Sequence, residues 1–303
     1  MLKKYLMIGF KGFCMGIADI IPGVSGGTIA FLMGIYEELI DSLSSFDREF
    51  LKRLGRGEII QAFAQTGWKF LTALVTGILA AIFSLSHVLR WLLQNAPVYV
   101  NAFFFGLIIT TVFVIAQKVR KGDFAKMAIG LVSAVVMYNL VGMIPLQTPD
   151  AWWFVFVSGM IAICAMILPG ISGAFILLLL GKYEYIITAV SERQFSVLII
   201  VALGCIVGLL TFVRLLKWLL HRYYDLTLSV LAGLVLGSLR RVWPWRETLE
   251  AVITPKGKLI PVEQINVLPS AFTTEIVFAA LFLIVGICLS LCLARFDQPQ
   301  KTH

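Results

Sequence analysis

Residues 22–27 read PGVSGG, and residues 169–174 read PGISGA. Both stretches lie near the middle of long apolar runs, 9–45 and 151–190. Pro and Gly are the costliest residues for a continuing helix. Each run is too long for one crossing of a bilayer, which takes about 20 apolar residues in a helix. A break at the centre turns such a run into a helical hairpin that enters and leaves on one side. Two such hairpins set the architecture of the whole chain.

The surroundings demand a membrane. Of the 303 residues 59% are hydrophobic and only 14% charged, and the mean hydropathy is +0.92. Soluble domains are about half apolar and about a quarter charged. Six further runs have the length of single spans: 68–93, 98–117, 127–144, 196–220, 226–242 and 271–294. With no water to satisfy backbone polar groups, helices are the form these runs take. The N-terminal apolar stretch is interrupted by Lys11 and Asp19 and lacks a small-residue cleavage site, so it is kept as structure. The net charge of +8 does not point to nucleic acid, because Lys and Arg cluster in short loops between apolar runs. The five cysteines form no C-x-x-C pair and the three histidines are scattered, so neither a metal site nor a cofactor motif is expected.

Loop charge orients the spans. Residues 46–67, with Arg48, Lys52, Arg53 and Arg56, read as a cytoplasmic amphipathic segment; Lys118, Arg120, Lys121 and Lys126 mark a second cytoplasmic loop, and Arg214, Lys217 and Arg222 a third. Residues 94–97 and 145–150 carry no Lys or Arg and are external, which leaves both termini cytoplasmic. One group goes against the rule. Arg240, Arg241, Arg246, Lys256 and Lys258 fall in or beside segment 243–270, which the alternation places outside.

The hairpins belong to an internal repeat. Pro22, Gly23, Ser25, Gly26, Gly34, Tyr36, Glu37, Ile40 and Ser44 recur 147 positions later, from Pro169 and Gly170 through Glu184 to Ser191. Further on the offset is 127, where RWLL at 90–93 faces KWLL at 217–220; segment 46–67 absorbs the difference. The expected fold is an all-α polytopic membrane protein of two repeats, 1–145 and 146–303. Each is a re-entrant hairpin followed by three transmembrane helices. Three spans between equivalent hairpins invert the second repeat, an arrangement that secondary transporters use at the bilayer midplane.

At each break, Ser25 or Thr28 and Ser172 can cap the next half-helix, whose first N–H groups lack internal partners. Gly23, Gly26, Gly27, Gly170 and Gly173 leave that backbone bare, so these residues form a candidate phosphate or carboxylate site. The same glycines also suit plain helix–helix packing. Intramembrane acids mark ion pathways by default, which makes Asp19, Glu37 and Glu184 candidate coupling or gating groups; an acid near the end of a hairpin arm can equally reach interfacial water. Asp19 has no acidic counterpart, since Met166 holds its place in the second repeat. Arg90 and Lys217 are matched and either snorkel beside Trp91 and Trp218 or steer an anionic headgroup at each mouth; Arg214 and Arg240 join them as candidate headgroup cations.

GIADIIPGVSGGTIAFLMGIYEELI at 16–40, with LPGISGAFILLLLGKYE and LAGLVLGSLRRVWPW, resemble the PopT-type undecaprenyl-phosphate translocases of the bacterial inner membrane over nearly the whole chain. The resemblance implies a carrier that returns undecaprenyl phosphate from the outer to the inner leaflet for cell-envelope glycan synthesis. It further implies an ion gradient, of H+ or Na+, as the driving force. A transporter of small soluble anions is the alternative that the same anion-binding geometry allows. No nucleophile, metal cluster or nucleotide motif supports an enzyme.

Overall fold

The computed structural model describes residues 2–119, 124–253, 259–269 and 272–295, with backbone alone across 249–253 and 259–263. Arg120, Lys121, Lys256, Lys258 and the C-terminal segment lie outside the described residues.

Helix α1 (Leu2–Ile20) runs into the first motif and α2 (Gly26–Leu32) leaves it; α3 (Tyr36–Ser44) follows after a second break. That second break comes from Gly34, whose φ of 66° suits the residue that ends a helix, and the Ile35 N–H folds back to the Ala30 carbonyl at 2.9 Å. Segment 46–67 is two short helices, α4 (Arg48–Gly55) and α5 (Ile59–Ala64). Three long helices complete the first half: α6 (Trp68–Asn95), α7 (Pro97–Lys118) and α8 (Phe124–Val141).

The second half repeats the series with α9 (Trp152–Ile167), α10 (Gly173–Leu179), α11 (Tyr183–Ser191) and α12 (Phe195–Arg222). Lengths agree closely: α2 and α10 have 7 residues each, α3 and α11 have 9, α6 and α12 have 28. Gly181, at φ 65°, breaks the second arm as Gly34 breaks the first, and α10 and α11 meet at 107°.

The halves then diverge. Helix α13 (Tyr224–Ser238) stops after 15 residues and tightens into a 3₁₀ turn, Leu239–Val242. At about 1.5 Å per residue its helical part falls short of the ~30 Å apolar core. Segment 243–270 departs from the all-α expectation: β1 (Arg246–Ile253) and β2 (Leu259–Asn266) form an antiparallel ribbon, interrupted by register shifts between Thr248 and Ala251. Its charges and β-branched residues fit no apolar helix. Helix α14 (Thr274–Arg295) closes the chain.

Among the described residues five helices are long and apolar enough to cross a bilayer, namely α6, α7, α8, α12 and α14, and the bent α10–α11 pair brings the number to six if it counts as one span. This is a multi-pass membrane architecture. Helix α1 packs on α6 and α9 on α12, while α7 packs on α14 and α8 on α13, so each half lends its last two long helices to the other. The contacts are backbone-close. A Cβ at Gly106 would run into the Leu283 carbonyl and one at Gly286 into the Phe103 carbonyl, which locks α7 to α14. Helix α7 also packs on α13, and all seven residues of α2 are buried beside them.

Candidate functional site

The two motifs meet. The Gly170 N–H donates to Thr28 Oγ1 at 2.9 Å, and the Ser25 hydroxyl points to the Leu168 carbonyl at 3.4 Å. Tyr36, fully buried, donates its phenol to the Ile167 carbonyl at 3.2 Å. A Cβ at Gly27 would stand 3.0 Å from the Ile167 oxygen and 3.5 Å from Pro169 Cα, a tight fit against the second reversal. Thr28 thus ties the two reversals together and is not a cap; Ser25 is the cap, accepting from the Gly27 N–H at 3.2 Å.

The start of α2 is already occupied. Asp19 Oδ1 accepts from the Gly26 N–H at 2.7 Å, and a Cβ at Gly26 would come within 2.6 Å of Asp19 Oδ2. At the other end of α2, Lys11 Nζ donates to the Met33 carbonyl at 2.6 Å. Lys11 and Asp19 are eight residues apart on α1, about 12 Å of helix, which spans a seven-residue helix lying alongside. An acid at the N-terminal end and a cation at the C-terminal end both complement the helix dipole. Helix α10 has no such clamp: Ser158 and Met166 stand where Lys11 and Asp19 would, and the Ser172 side chain makes no capping bond. Gly173 lies close to α9, its Cβ position 2.8 Å from the Ala162 carbonyl.

The cation at this junction is Arg241. A Cβ at Gly23 would collide with Arg241 Cγ, so the arginine stem lies directly on the first reversal, where Gly23 takes a φ of 94°. Its guanidinium stands 5.4 Å from the centre of the Phe175 ring, one turn beyond Ser172 in the second hairpin. Arg241 therefore touches both hairpins. It has no hydrogen bond and no ion pair among the described residues. Arg246 stands near enough that burial, and then the charge of Arg241, bring its own guanidinium down to about 10. Its partner is neutral, the Gln264 side-chain oxygen at 3.3 Å. Between them in sequence, the buried Trp245 Nε1 has no acceptor either. Among the described residues these donors have no anion, in a place where an unpaired buried donor or charge is costly.

The other expected cations lie elsewhere. Arg240 turns away from Arg241, stacks 4.5 Å over Tyr138 and donates to the Tyr138 carbonyl at 3.0 Å, lining a cavity of about 340 Å³ with Phe105 and Trp243. Arg214 is exposed and donates to the Phe46 carbonyl at 3.2 Å. Lys217 pairs with Asp41 at 2.8 Å, and Arg90 is exposed with no partner among the described residues. The matched acids separate likewise. Glu37 is exposed and accepts from Tyr224 at 2.8 Å, a bond that helps burial raise the Tyr224 phenol to about 12; Glu184 is exposed without a described partner. Only Asp19 of the three acids sits at a motif. No cluster among the described residues offers three His, Cys, Asp or Glu ligands to a metal.

Arg241 and Arg246 were legible only as offenders against the positive-inside rule. Arg240 is the neighbour that a reading of the LRR triplet picks just as readily, and a 3₁₀ turn sends the two side chains to opposite flanks.

Comparison with known proteins gives a consistent neighbourhood. Residues 15–260 match the family described as undecaprenyl phosphate translocase-like. A polyprenyl-phosphate transporter of Vibrio cholerae is 38% identical over 301 residues, covering 97% of this chain and 98% of that protein. A polyprenyl-phosphate transporter of Staphylococcus aureus is 32% identical over 254 residues, covering 77% of this chain and 84% of that protein. No solved structure matches the chain significantly.

Proposed function

The chain belongs to the undecaprenyl phosphate translocase-like family, and from that premise we propose that it carries a polyprenyl phosphate from the outer to the inner leaflet of a bacterial cytoplasmic membrane. The observation that carries this reading is Arg241, a guanidinium with no anion among the described residues that touches both hairpins at their meeting point. A phosphate monoester has about −1.5 to −2 charges and acceptor oxygens that match a guanidinium fork. Arg246, the Trp245 indole N–H and the unbonded Ser172 hydroxyl are further donors for it.

This assignment moves the headgroup away from the start of α2. Asp19 and Ser25 already satisfy Gly26 and Gly27 there, so the motif glycines serve to keep bulk away from Arg241 and to let the hairpins touch. The prenyl tail, apolar throughout, stays in lipid while the headgroup crosses. The matched series of elements supports two repeats of opposite orientation, with α3 at the C-terminal end of α12 and α11 leading into its N-terminal end. The termini then lie in the cytoplasm, and the arginines of 240–246 face the outer leaflet, where the substrate is collected.

Asp19 is the coupling group of choice. It is the only acid placed at a motif, it holds α2 by one amide, and an anion arriving beside it favours its protonated form. An inward proton gradient would thereby drive uptake.

The test is leaflet exchange of labelled undecaprenyl phosphate in proteoliposomes, with and without an imposed proton gradient. Acceleration over empty liposomes supports the carrier, and none refutes it. Inorganic phosphate at millimolar concentration should not compete; full competition would instead assign the site to small soluble anions.

A further inference from the structure

The two hairpins are not in equivalent states. At the α3 end, Lys217 of α12 pairs with Asp41 at 2.8 Å and bonds Ser44 Oγ at 3.2 Å, Arg214 donates to the Phe46 carbonyl, and Tyr224 of α13 donates to Glu37. Helix α3 packs on α12 along this seam, and a cavity of about 240 Å³ remains behind it, lined by Glu37, Asp41, Lys217, Leu220 and His221. The repeat maps Lys217 to Arg90 and α12 to α6. Yet α11 forms no comparable seam with α6, and Arg90 has no partner among the described residues. Burial follows the same division: every residue of α2 is buried, against Gly173, Ile176 and Leu179 alone in α10.

We infer that Lys217 and Asp41, braced by the Tyr224–Glu37 bond, form a latch that shuts the α3 mouth of the carrier in this conformation. The inference rests on the carrier reading above and adds which mouth is closed and by what. The latch is built to open. Its ion pair is about half exposed, 40% at Lys217 and 52% at Asp41. An ion pair of that exposure shifts an equilibrium by a factor of only about two to five. A buried pair would hold the mouth shut; this one biases it. Conversion to the opposite state requires α3 to part from α12, which exposes the cavity behind the seam, while α11 closes on α6.

Leu220, buried and facing that cavity, reports the event. Leu220→Cys protein in nanodiscs is labelled with a membrane-impermeant maleimide, with the native chain as the baseline for its own cysteines. Lys217→Met or Asp41→Asn should raise the labelling rate at position 220 about two- to five-fold. The exchange Asp41→Lys with Lys217→Asp should return it to the parent rate, which also shows that the variants are folded. Equal rates in parent and single variants, or an exchange variant as fast as either single one, overturns the latch. Leaflet exchange by the parent is measured on the same preparation in liposomes. Its absence refutes the carrier reading, whereas the latch stands or falls on labelling alone.

Discussion

Replacing Arg241 by Met separates a binding cation from a structural one, because the two roles predict opposite signs for stability. Without substrate, Arg241 is a half-buried charge with no anionic partner among the described residues, and its guanidinium stands 5.4 Å from the Phe175 ring. A cation–π contact of this kind is worth about 0.5–2 kcal/mol. The effective penalty for taking an ion out of water is several kcal/mol when burial is complete, and about half of that is reasonable here. Met fills a similar volume without the charge. Arg241→Met should therefore leave the protein neutral to about 2 kcal/mol more stable in thermal unfolding. Transport should move the other way. Losing one partner of a desolvated charge pair costs about 2–5 kcal/mol, or roughly 30- to 4,000-fold in substrate affinity. Arg241→Lys keeps the charge but not the two-pronged geometry and should fall between, about ten-fold down. The assay pairs leaflet exchange of labelled polyprenyl phosphate with a melting curve on the same batch. A variant that melts several degrees lower and still transports would refute the assignment, since it would make Arg241 a packing residue.

Three further outcomes follow from the same geometry. Asp19→Asn keeps an oxygen for the Gly26 N–H but cannot ionise, so leaflet exchange should continue with a flattened pH profile; an unchanged profile would remove Asp19 from coupling. Gly26→Leu drives Cβ to within 2.6 Å of Asp19 Oδ2 in a fully buried helix, and overpacking of about 1–3 kcal/mol should abolish transport, with a lowered melting temperature. Ser25→Ala should cost about 1 kcal/mol of stability as a lost cap, whereas Ser172→Ala, with no capping bond to lose, should change melting little and weaken transport several-fold.

Much of this architecture is legible in one sequence because lipid leaves few options. Apolar run lengths place α6, α7, α8, α12 and α14 to within about three residues, and the paired Pro-Gly-x-Ser-Gly breaks locate both reversals. What stays hidden depends on side-chain direction or on contacts distant in the chain. Gly34 and Gly181 match in the repeat, but nothing in their spacing says that they split the second arm rather than pack it. Asp19 reads as an intramembrane acid; that it fills the start of α2 requires knowing that α2 folds back along α1. Glu37 and Glu184 match as a pair and still differ, one bonded to Tyr224 and the other without a partner among the described residues, because a repeat in sequence does not impose one conformation on both copies. The β1–β2 ribbon escapes for a different cause: its strands follow a 3₁₀ turn with no apolar periodicity to announce them.

The exceptions to the charge rule make physical sense once their surroundings are known. Lys and Arg are kept on the cytoplasmic side because moving them outward during insertion is unfavourable. On the proposed topology Arg240, Arg241 and Arg246 stand at the outer end against this bias, a cost that binding an anionic cargo would offset. Here none of the three is loosely solvated: Arg240 is stacked on Tyr138, and Arg241 and Arg246 are drawn inward with no ion pair among the described residues. Glu247 on β1 is exposed and makes no ion pair with either arginine among the described residues. On the carrier reading, two like charges held close would make the empty protein less stable and the anion-bound one more so, which is the difference a carrier needs in order to close around cargo and not around water.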